Sequence, residues 1–297
     1  MKNFLSYFYN ISIQDIIKTK NKYKFIYNDN QYVLEHIYLT EEVIMDVYNL
    51  NMELINNGIK CNRIILNNQN SPVTIYDNKN WVLMETVNNF EERINFEDIF
   101  TFPIKTSYDN FFKNNDWKTL WGAKNDYLEY QINQLGLDYP LLRESFSYFN
   151  GLSENAIQLL NNVTNDDLYI VHKRVTYHMT YYDLYNPFNM VLDTKIRDMA
   201  EYFKDAFLFK KDILKELDIF LTNYYLNDNE KLLFITRMLY PTFYFDMFEN
   251  ITDELKEEKK IKKIIANIND YENLLNIIID KIGLINIEWL KKDVITD

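Results

Sequence analysis

The stretch from Asn189 to Phe203 reads NMVLDTKIRDMAEYF and marks a change from an irregular segment to a helix. The segment that leads into it, Leu168 to Asp193, carries two of the three histidines and shows no sustained helical pattern. A helix is predicted to follow near 196–208. At the start of that helix, Asp198 is expected to accept hydrogen bonds from loop amides, and Arg197 to pair with an acidic neighbour.

Helical patterns dominate the chain on both sides of this stretch. Helices are predicted near 124–136, 141–149, 153–162, 196–208, 211–226, 229–248, 252–267 and 270–281. The stretch from Asn88 to Asp116 is irregular, aromatic and acidic. Only five glycines and five prolines occur in 297 residues, fewer than a sandwich of many tight turns would use, so a helix-dominated fold is favoured.

The beginning of the chain has a different pattern, mostly of strands. Two β-rich runs separated by Asn28-Asp29-Asn30 predict a hairpin, because Asn and Asp tolerate turn conformations. A helix follows that Thr40 can cap and that Asn57-Gly58 ends. The predicted strands are Tyr23–Tyr27, Tyr32–Ile37, Arg63–Leu66, Val73–Tyr76 and Trp81–Val87. We therefore predict an α+β protein with a β-rich lobe over 1–87 and a helical lobe over 88–297.

Composition and charge exclude several classes of protein. Hydrophobic residues make up 47% of the chain, which includes 24 Tyr and 20 Phe, so a packed core is expected rather than disorder. The net charge is −12, of which residues 1–85 contribute only −1, and such an acidic chain is not expected to bind nucleic acid. A local basic pocket stays compatible with that charge.

The cysteine count and the apolar pattern indicate a compartment. Cys61 is the only cysteine, so no intrachain disulfide can form. No run approaches the roughly 20 apolar residues of a membrane span, and no signal peptide is recognised at the start. We therefore expect a cytoplasmic protein without a membrane span.

The run Arg197-Asp198-Met199-Ala200 resembles the helix start that follows the metal-binding loop in aminoglycoside-phosphotransferase and choline-kinase-like proteins. The run from Arg237 to Asp246 resembles a late helix of one branch of that superfamily, the endospore-coat CotS and YutH group. This resemblance implies a bilobal protein-kinase-like fold, with a small antiparallel β-rich N-lobe that has one helix and a larger, mainly helical C-lobe. It also implies a place in the spore coat and partners among other coat proteins.

Phosphoryl transfer in this fold depends on positioning and on neutralising charge, and the residues expected to do so are replaced. There is no glycine before Gly58 to form a phosphate-binding loop. Glu35 stands where a phosphate-binding lysine is expected, and no lysine lies between Lys24 and Lys60 to restore it by a shift of register. The alternative is that Glu35 is a solvated strand residue and the register differs by one or two positions.

The catalytic and metal-binding positions are also altered. The family pattern His-x-Asp reads His172-Lys173-Arg174, and a guanidinium cannot accept the proton as a general base. The metal-binding Asp is matched by Asn189, which lacks the charge that holds Mg²⁺, although Asp193 lies close enough in sequence to substitute. Degenerate positions are therefore Glu35, His172, Arg174 and Asn189, with residual acidic roles left for Asp193 and Asp198.

Other side chains of this region have a structural and a functional interpretation. A zinc site on His172 and His178 is disfavoured, because their spacing of six on a non-helical segment is poor for ligands, and a buried, hydrogen-bonded His172 is favoured. Tyr177, Tyr181, Tyr182 and Tyr185 either pack into the site or line a binding groove, and packing is favoured.

Three hypotheses of function follow. The first is a catalytically inactive kinase-like protein that acts through protein partners in the spore coat and needs no cofactor. The second is an active ATP- and Mg²⁺-dependent small-molecule phosphotransferase that uses Asp183, Asp193 or Asp198 in altered roles. The third is a helical interaction protein of another fold, without a five-stranded lobe beside the helix at 40–57.

Overall fold

A computed structural model describes residues 1–105, 116–135, 138–164, 167–209, 212–249 and 254–290. In chain order, its helices and strands are α1 (Lys2–Tyr9), β1 (Ile17–Thr19), β2 (Lys22–Tyr27), β3 (Asn30–Ile37), α2 (Glu41–Asn56), β4 (Arg63–Ile65), β5 (Thr74–Tyr76), β6 (Lys79–Glu85), α3 (Phe96–Thr101), β7 (Ile104–Lys105), α4 (Trp117–Leu135), α5 (Pro140–Leu159), β8 (Tyr169–His172), α6 (Tyr181–Leu184), β9 (Met190–Asp193), α7 (Arg197–Leu208), α8 (Leu214–Asn223), α9 (Asp228–Leu239), α10 (Thr242–Glu249), α11 (Glu254–Ile265) and α12 (Ile268–Ile282). Short 3₁₀ helices cover Leu160–Asn162, Pro187–Asn189 and Glu288–Leu290.

These elements form two compact units. The described part of the first unit consists of residues 1–101 and 178–192, and the second unit holds the described residues of 102–177 and 193–290. The first unit therefore contains the whole predicted 1–87 lobe together with a segment from much later in the chain. The predicted boundary after residue 87 stays a prediction.

The first unit is built on an antiparallel sheet in the order β1-β2-β3-β6-β4, with β5 also paired to β6. The predicted hairpin is confirmed: Tyr27 pairs with Asn30, and the two turn residues Asn28 and Asp29 have φ of 49° and 63°. Asn and Asp adopt this left-handed conformation more readily than other residues with a side chain.

Helix α2 is also where the sequence predicts it. Its apolar face buries Ile44, Val47, Leu50 and Leu54, and Asn57 and Gly58 follow its end. Buried Asn51 joins the helix to the start of β4, because its amide donates to the carbonyl of residue 62 at 2.8 Å and its oxygen accepts from the amide of residue 64 at 3.0 Å. A sheet of more than five strands with this helix excludes the third hypothesis, a helical interaction protein of another fold.

Helix α1 is an element that the sequence prediction omitted, so the expectation of a single helix in the β-rich part was wrong. Phe4 and Leu5 are buried in one cluster with Phe25, Leu34 and Trp81 of the sheet. The apolar spacing of residues 4, 5, 8 and 9 fits one helical face, but eight residues give too short a pattern for a firm prediction.

Asn62 explains why the segment 178–192 belongs to the first unit. The backbone N–H of Asn62 donates to the carbonyl of Tyr185 at 2.8 Å, and its side-chain amide donates to the carbonyl of Tyr182 at 2.9 Å. Both bonds are buried, where an unmade bond costs more than at the surface. A residue next to β4 therefore fixes a chain segment more than 100 positions away.

The second unit is mainly helical. Helix α5 packs against α4 and α9, and α7 packs against α9, while β7 pairs with β8 in antiparallel orientation. Stacked aromatic rings fill its core, with centroids 4.0 Å apart for Phe149 and Tyr244 and for Trp121 and Tyr240. Within the described ranges, no helix is both long enough and apolar enough to cross a bilayer.

Two predicted helix boundaries were wrong in this unit. The helices predicted at 141–149 and 153–162 are one helix, α5, because Phe149, Leu152 and Ala156 continue a single buried face through Gly151. The helix predicted at 229–248 is two helices, α9 and α10, which meet at Pro241. Proline has no N–H to donate to the preceding turn, so the first of the two helices ends there.

The residues at the N-terminal caps of α2 and α9 should differ in how much they contribute to the stability of the chain. Thr40 precedes α2 as predicted, but its side chain makes no capping bond, whereas Asn227 and Glu230 form a complete capping box at α9. Replacing Asn227 with alanine should lower the free energy of unfolding by about 1 kcal/mol. Thr40→Ala is the matched control and should change it by less than about 0.5 kcal/mol in the same urea titration. Equal losses would contradict this interpretation.

Candidate functional site

His172 lies at the end of β8 and is completely buried beside the start of α7. Its backbone N–H donates to Oδ1 of Asp198 at 2.9 Å, and its Nδ1 lies 2.7 Å from Oδ2 of the same carboxylate. Asp198 is also fully buried. One carboxylate thus holds both the backbone and the ring of His172. The sequence predicts that Asp198 accepts from a loop amide, and the amide it accepts from is instead that of the last residue of β8.

Asp193, at the end of β9, accepts four hydrogen bonds. Its Oδ1 accepts from Trp117 Nε1 at 3.1 Å and from Arg237 Nη2 at 2.8 Å. The same oxygen accepts from its neighbour's backbone N–H at 2.7 Å, and Oδ2 accepts from Arg197 Nη1 at 2.8 Å. Three of the four bonds share Oδ1 and one is made to Oδ2, so the protein holds both oxygens of this buried carboxylate.

The two guanidinium groups that hold Asp193 are themselves fixed. Arg197 and Arg237 are 8% and 2% exposed, and the indole ring of Trp117 lies 4.8 and 4.5 Å from their central carbons. Arg197 also donates to the carbonyls of residues 172 and 173 at 2.8 and 2.9 Å. Arg197 therefore pairs with an acidic neighbour as expected, while no local sequence pattern indicates that Arg237 binds the same carboxylate.

Arg174 lies in a group of charges on the second unit. Its Nη2 is 2.6 Å from Oδ2 of Asp246, and its Nη1 is 3.9 Å from Oε2 of Glu201. Glu201 also accepts from the buried ammonium of Lys204 at 2.8 Å. The guanidinium at the predicted base position is thus engaged in ion pairs, while burial lowers the pKa of the neighbouring Lys173.

Glu201 makes the stability of the protein sensitive to acid. Burial alone would raise its pKa, but Lys204, Arg197 and Arg237 together lower that pKa to about 2. The carboxylate is therefore more acidic in the folded chain than its ordinary value of 4.5, and its contribution to stability is present above pH 4.5. That contribution is lost as the pH falls from 4.5 towards 2.

We expect Glu201→Gln to flatten the fall of stability over this range. The measurement is the free energy of unfolding of both proteins from urea titrations between pH 6 and pH 3. Asp228→Asn, which changes an exposed carboxylate of the same unit, is the control and should follow the parent chain. A parallel fall in Glu201→Gln and the parent would contradict the assignment.

Glu35 lies on β3 as predicted, but it is buried rather than solvated. Its Oε2 accepts from the hydroxyl of Tyr182 at 2.5 Å, and its Oε1 lies 3.3 Å from the ammonium of Lys22. Burial and the Glu35 carboxylate raise the pKa of Tyr182 well above 10, so its hydroxyl stays protonated and donates. Glu35 is therefore a fixed, paired anion in the first unit.

Lys22 is the residue of this region that the sequence reasoning missed. It lies on β2 directly opposite Glu35, 3.6 Å from Oδ1 of Asp183 and 4.4 Å from the ring centre of Tyr182. A signal for it existed, because a two-residue turn at Asn28–Asp29 pairs Tyr27 with Asn30 and, counted outward, pairs Lys22 with Glu35. Lys22 thus lies on the strand next to the one that carries Glu35.

The remaining positions of the first unit have mainly packing contacts. Tyr181, Tyr182 and Tyr185 are buried, as the packing interpretation predicts, and the hydroxyl of Tyr181 donates to Asp98 at 2.7 Å. Asn189 donates to the carbonyl of Asp183 at 3.3 Å.

The turn between β1 and β2 is formed by Lys20 and Asn21, with φ of 42° at Lys20.

Each unit thus gathers part of the predicted site. The second unit joins His172, Asp198, Arg197 and Asp193 through hydrogen bonds, and the first unit joins Glu35 to Asp183 through Lys22. Among the described residues, no group of three or more His, Cys, Asp or Glu side chains has an arrangement that could hold a metal ion.

Sequence comparison finds relatives associated with bacterial spores. Residues 2–278 match the family model described as "Spore coat putative kinase YutH". The "Endospore coat-associated protein YutH" of Bacillus subtilis (strain 168) is 32% identical over 186 residues. That match covers 54% of this chain and 55% of the relative, so it spans about half the length of the curated protein.

Structural comparison finds phosphotransferases. An aminoglycoside phosphotransferase from Alicyclobacillus acidocaldarius superimposes with a TM-score of 0.66 at 13% identity, covering 92% of this chain and 93% of that one. A spectinomycin phosphotransferase, solved with ADP and spectinomycin, gives a TM-score of 0.62 at 13% identity over 95% and 98% of the two chains. At this identity the likeness shows the fold alone, and it confirms the predicted kinase-like α+β fold.

Proposed function

This chain belongs to the YutH family of spore coat proteins, and from that premise we propose that it is a catalytically inactive kinase-like protein that acts in the spore coat by binding other coat proteins. The proposal has two parts, the loss of phosphoryl transfer and the role in the coat. They rest on different observations and are tested separately.

The loss of phosphoryl transfer rests above all on Asp193. It is the carboxylate that the sequence offered as a substitute for the metal ligand, yet Arg197 and Arg237 each bind one of its oxygens at 2.8 Å. Mg²⁺ requires oxygen ligands in near-ideal octahedral geometry. A magnesium ion at Asp193 would have to approach the two buried positive charges of Arg197 and Arg237, which Coulomb repulsion strongly opposes.

The other altered positions support the same proposal. Arg174 replaces the proton acceptor and is paired with Asp246 at 2.6 Å. Asn189 replaces a charged metal ligand with a neutral amide. The two oxygens of Asp198 contact the backbone N–H and the ring Nδ1 of His172. Loss of a general base alone commonly lowers a rate by about 10²–10⁴-fold, and here the proposed metal ligands are affected as well.

The role in the coat rests on the family and on the coat association of the Bacillus subtilis relative. We propose that the chain is made in the cytoplasm of the sporulating cell and becomes part of the coat, where protein partners hold it. Nucleic acid is not proposed as a partner, since a net charge of −12 opposes a phosphate backbone.

Fractionation tests the role in the coat. A tagged chain expressed from its own promoter should appear during sporulation and should be extracted with the coat layer of purified spores. A tagged cytoplasmic enzyme processed in parallel is the control for carry-over. Presence of the chain in vegetative cells alone would remove this part of the proposal.

An active phosphotransferase is the second candidate, and one observation favours it. Lys22 places a cation next to Asp183, whose side chain is 42% exposed. The first unit therefore contains an ion pair that solvent can reach. An enzyme that binds ATP through Mg²⁺ should be stabilised further when Mg²⁺ is added to the nucleotide. Ligand at a hundredfold excess over Kd stabilises by about 2.7 kcal/mol. We expect no such magnesium-dependent gain, and a clear one would favour the active enzyme.

A further inference from the structure

Helix α4 of the second unit carries two rows of side chains on different faces. The inner row packs on the core: Trp121 and Leu128 are buried, and Asn125 between them accepts from the hydroxyl of Ser153 in α5 at 2.7 Å. The outer row, which we call the α4 stripe, consists of Leu120, Ala123, Tyr127 and Tyr130.

The α4 stripe is apolar and exposed to solvent. Leu120, Tyr127 and Tyr130 are 46%, 52% and 62% exposed, and Ala123 between them is exposed as well. A single exposed apolar side chain is common on protein surfaces, whereas a continuous row of them is typical of a contact surface. At a rise of 1.5 Å per residue the row extends over about 15 Å of the helix.

The spacing of the α4 stripe indicates the shape of what it binds. Its members follow one another at intervals of three, four and three residues. This is the spacing of the two apolar positions of a heptad, which face a partner helix in a coiled coil. An apolar row of this kind on an exposed helix is suited to receive a second helix along its length.

The charges around the α4 stripe are mainly negative. Asp116 and Asp126 are exposed, and each lies three or four positions from a member of the stripe, which makes them its neighbours on the helix surface. Lys124 has the same spacing, but its side chain is 22% exposed and lies 3.3 Å from Asp246. Residues 86–297, which include α4, carry −11 of the net charge of −12. A positively charged partner is therefore attracted to this surface.

A second copy of this chain fits the α4 stripe less well than a basic partner does. It would bring the same two carboxylates, Asp116 and Asp126, and a net charge of −12 to the interface. Like charges that meet at an interface oppose association. The apolar row favours helix pairing, and the charge selects a partner of the opposite sign.

We propose that the α4 stripe binds an amphipathic helix with a basic polar face, supplied by another protein of the coat. The apolar face of that helix packs on the stripe, and its lysine or arginine side chains pair with Asp116 and Asp126. Tyrosine suits such a surface because it supplies a large contact area together with a hydroxyl for hydrogen bonding. The inference rests on the proposed role as a binding protein and adds the surface and the chemistry of a partner.

Fluorescence anisotropy of the folded full chain with a labelled synthetic peptide tests the proposal. The peptide is a helix of about five turns with leucine at the two apolar heptad positions and lysine on its polar face. We expect saturable binding that weakens as salt is added. Two comparison peptides, one with the same composition but no apolar face and one with glutamate in place of lysine, should each bind at least tenfold more weakly.

Variants of the chain separate the apolar part of this binding from attraction by net charge. The double substitution Tyr127→Gln and Tyr130→Gln leaves the charge unchanged and should weaken binding of the lysine peptide about tenfold or more, since it removes both aromatic contacts. Tyr225→Gln, which changes a 95% exposed tyrosine of the same unit outside α4, is the matched control and should bind like the parent. Circular dichroism establishes that all three proteins are folded.

Equal binding of the lysine peptide by the double variant and the parent would overturn the proposal, and so would equal binding of the peptide without an apolar face. Sedimentation of the parent as a dimer and of the double variant as a monomer would also overturn it, because the α4 stripe would then hold a second copy. None of these results bears on the role in the coat, which fails separately if the parent chain is missing from the coat extract.

Discussion

Replacing Asp193 with alanine is expected to lower the free energy of unfolding by about 3–5 kcal/mol, which is the usual effect of breaking a buried ion pair by removing one partner. The change leaves the guanidinium groups of Arg197 and Arg237 buried without the carboxylate that each binds at 2.8 Å. It also leaves the indole N–H of Trp117 without its acceptor. The measurement is a urea titration followed by tryptophan fluorescence and circular dichroism.

Asp246→Ala is the matched control for this prediction. Asp246 pairs with Arg174 and Lys124, but the three side chains are 27%, 54% and 22% exposed, so water screens their charges. Pairs of this kind contribute about 0–1 kcal/mol. If Asp193→Ala is no more destabilising than Asp246→Ala, then Asp193 is not the structural anion described above and remains available as a ligand.

Replacing Asp198 with alanine is the second large effect, a loss of about 2–4 kcal/mol. The substitution removes the acceptor for the backbone N–H of His172 and the partner of its ring, and both residues are fully buried in the parent chain. When a buried polar group loses its hydrogen-bond partner, the free-energy cost of removing that group from water is no longer offset.

Asp198→Asn separates the two bonds of this carboxylate. Asparagine keeps an oxygen that can accept from the backbone N–H of His172 at the position of Oδ1, but its amide carries no charge for the ring. We expect it to recover about half of the stability lost in the alanine variant. A loss below about 1 kcal/mol in both variants would show that the bond between Asp198 and His172 is weaker than its burial indicates.

The parts of the fold that the sequence predicts correctly are those set by local chemistry. The turn at Asn28–Asp29 follows from residues that tolerate positive φ, and α2 follows from one apolar face with a clear end at Gly58. The start of α7 after the strand that ends at Asp193 follows from the change in pattern between residues 189 and 203. Each of these features is decided within about 15 residues of chain.

What the sequence could not predict depends on contacts between distant residues. Arg237 reaches Asp193 across 44 positions, and no local pattern distinguishes this arginine from a solvated one. Asn62 fixes the segment around Tyr182 and Tyr185 in the same way. The break between α9 and α10 at Pro241, by contrast, has a local cause, because proline disrupts a helix interior.

The pairing of Lys22 with Glu35 lies between these two cases. It follows from the hairpin register, which the sequence does determine, because that register places Lys22 directly opposite the position of the expected lysine. A missing lysine in one strand therefore does not exclude a cation at the same place in a sheet. The proposed loss of catalysis does not depend on the absence of such a cation, because it rests on the carboxylates that would hold the metal.

A crystal structure with a non-hydrolysable ATP analogue and Mn²⁺, read from the anomalous signal of manganese, tests that claim most directly. Manganese prefers the same oxygen ligands as magnesium, and its position can be located without assumptions about the substrate. We predict that both oxygens of Asp193 keep their bonds to Arg197 and Arg237 and that no manganese peak lies within ligand distance of them. A manganese ion coordinated by Asp193 and bridging to the phosphates of the analogue would contradict the account.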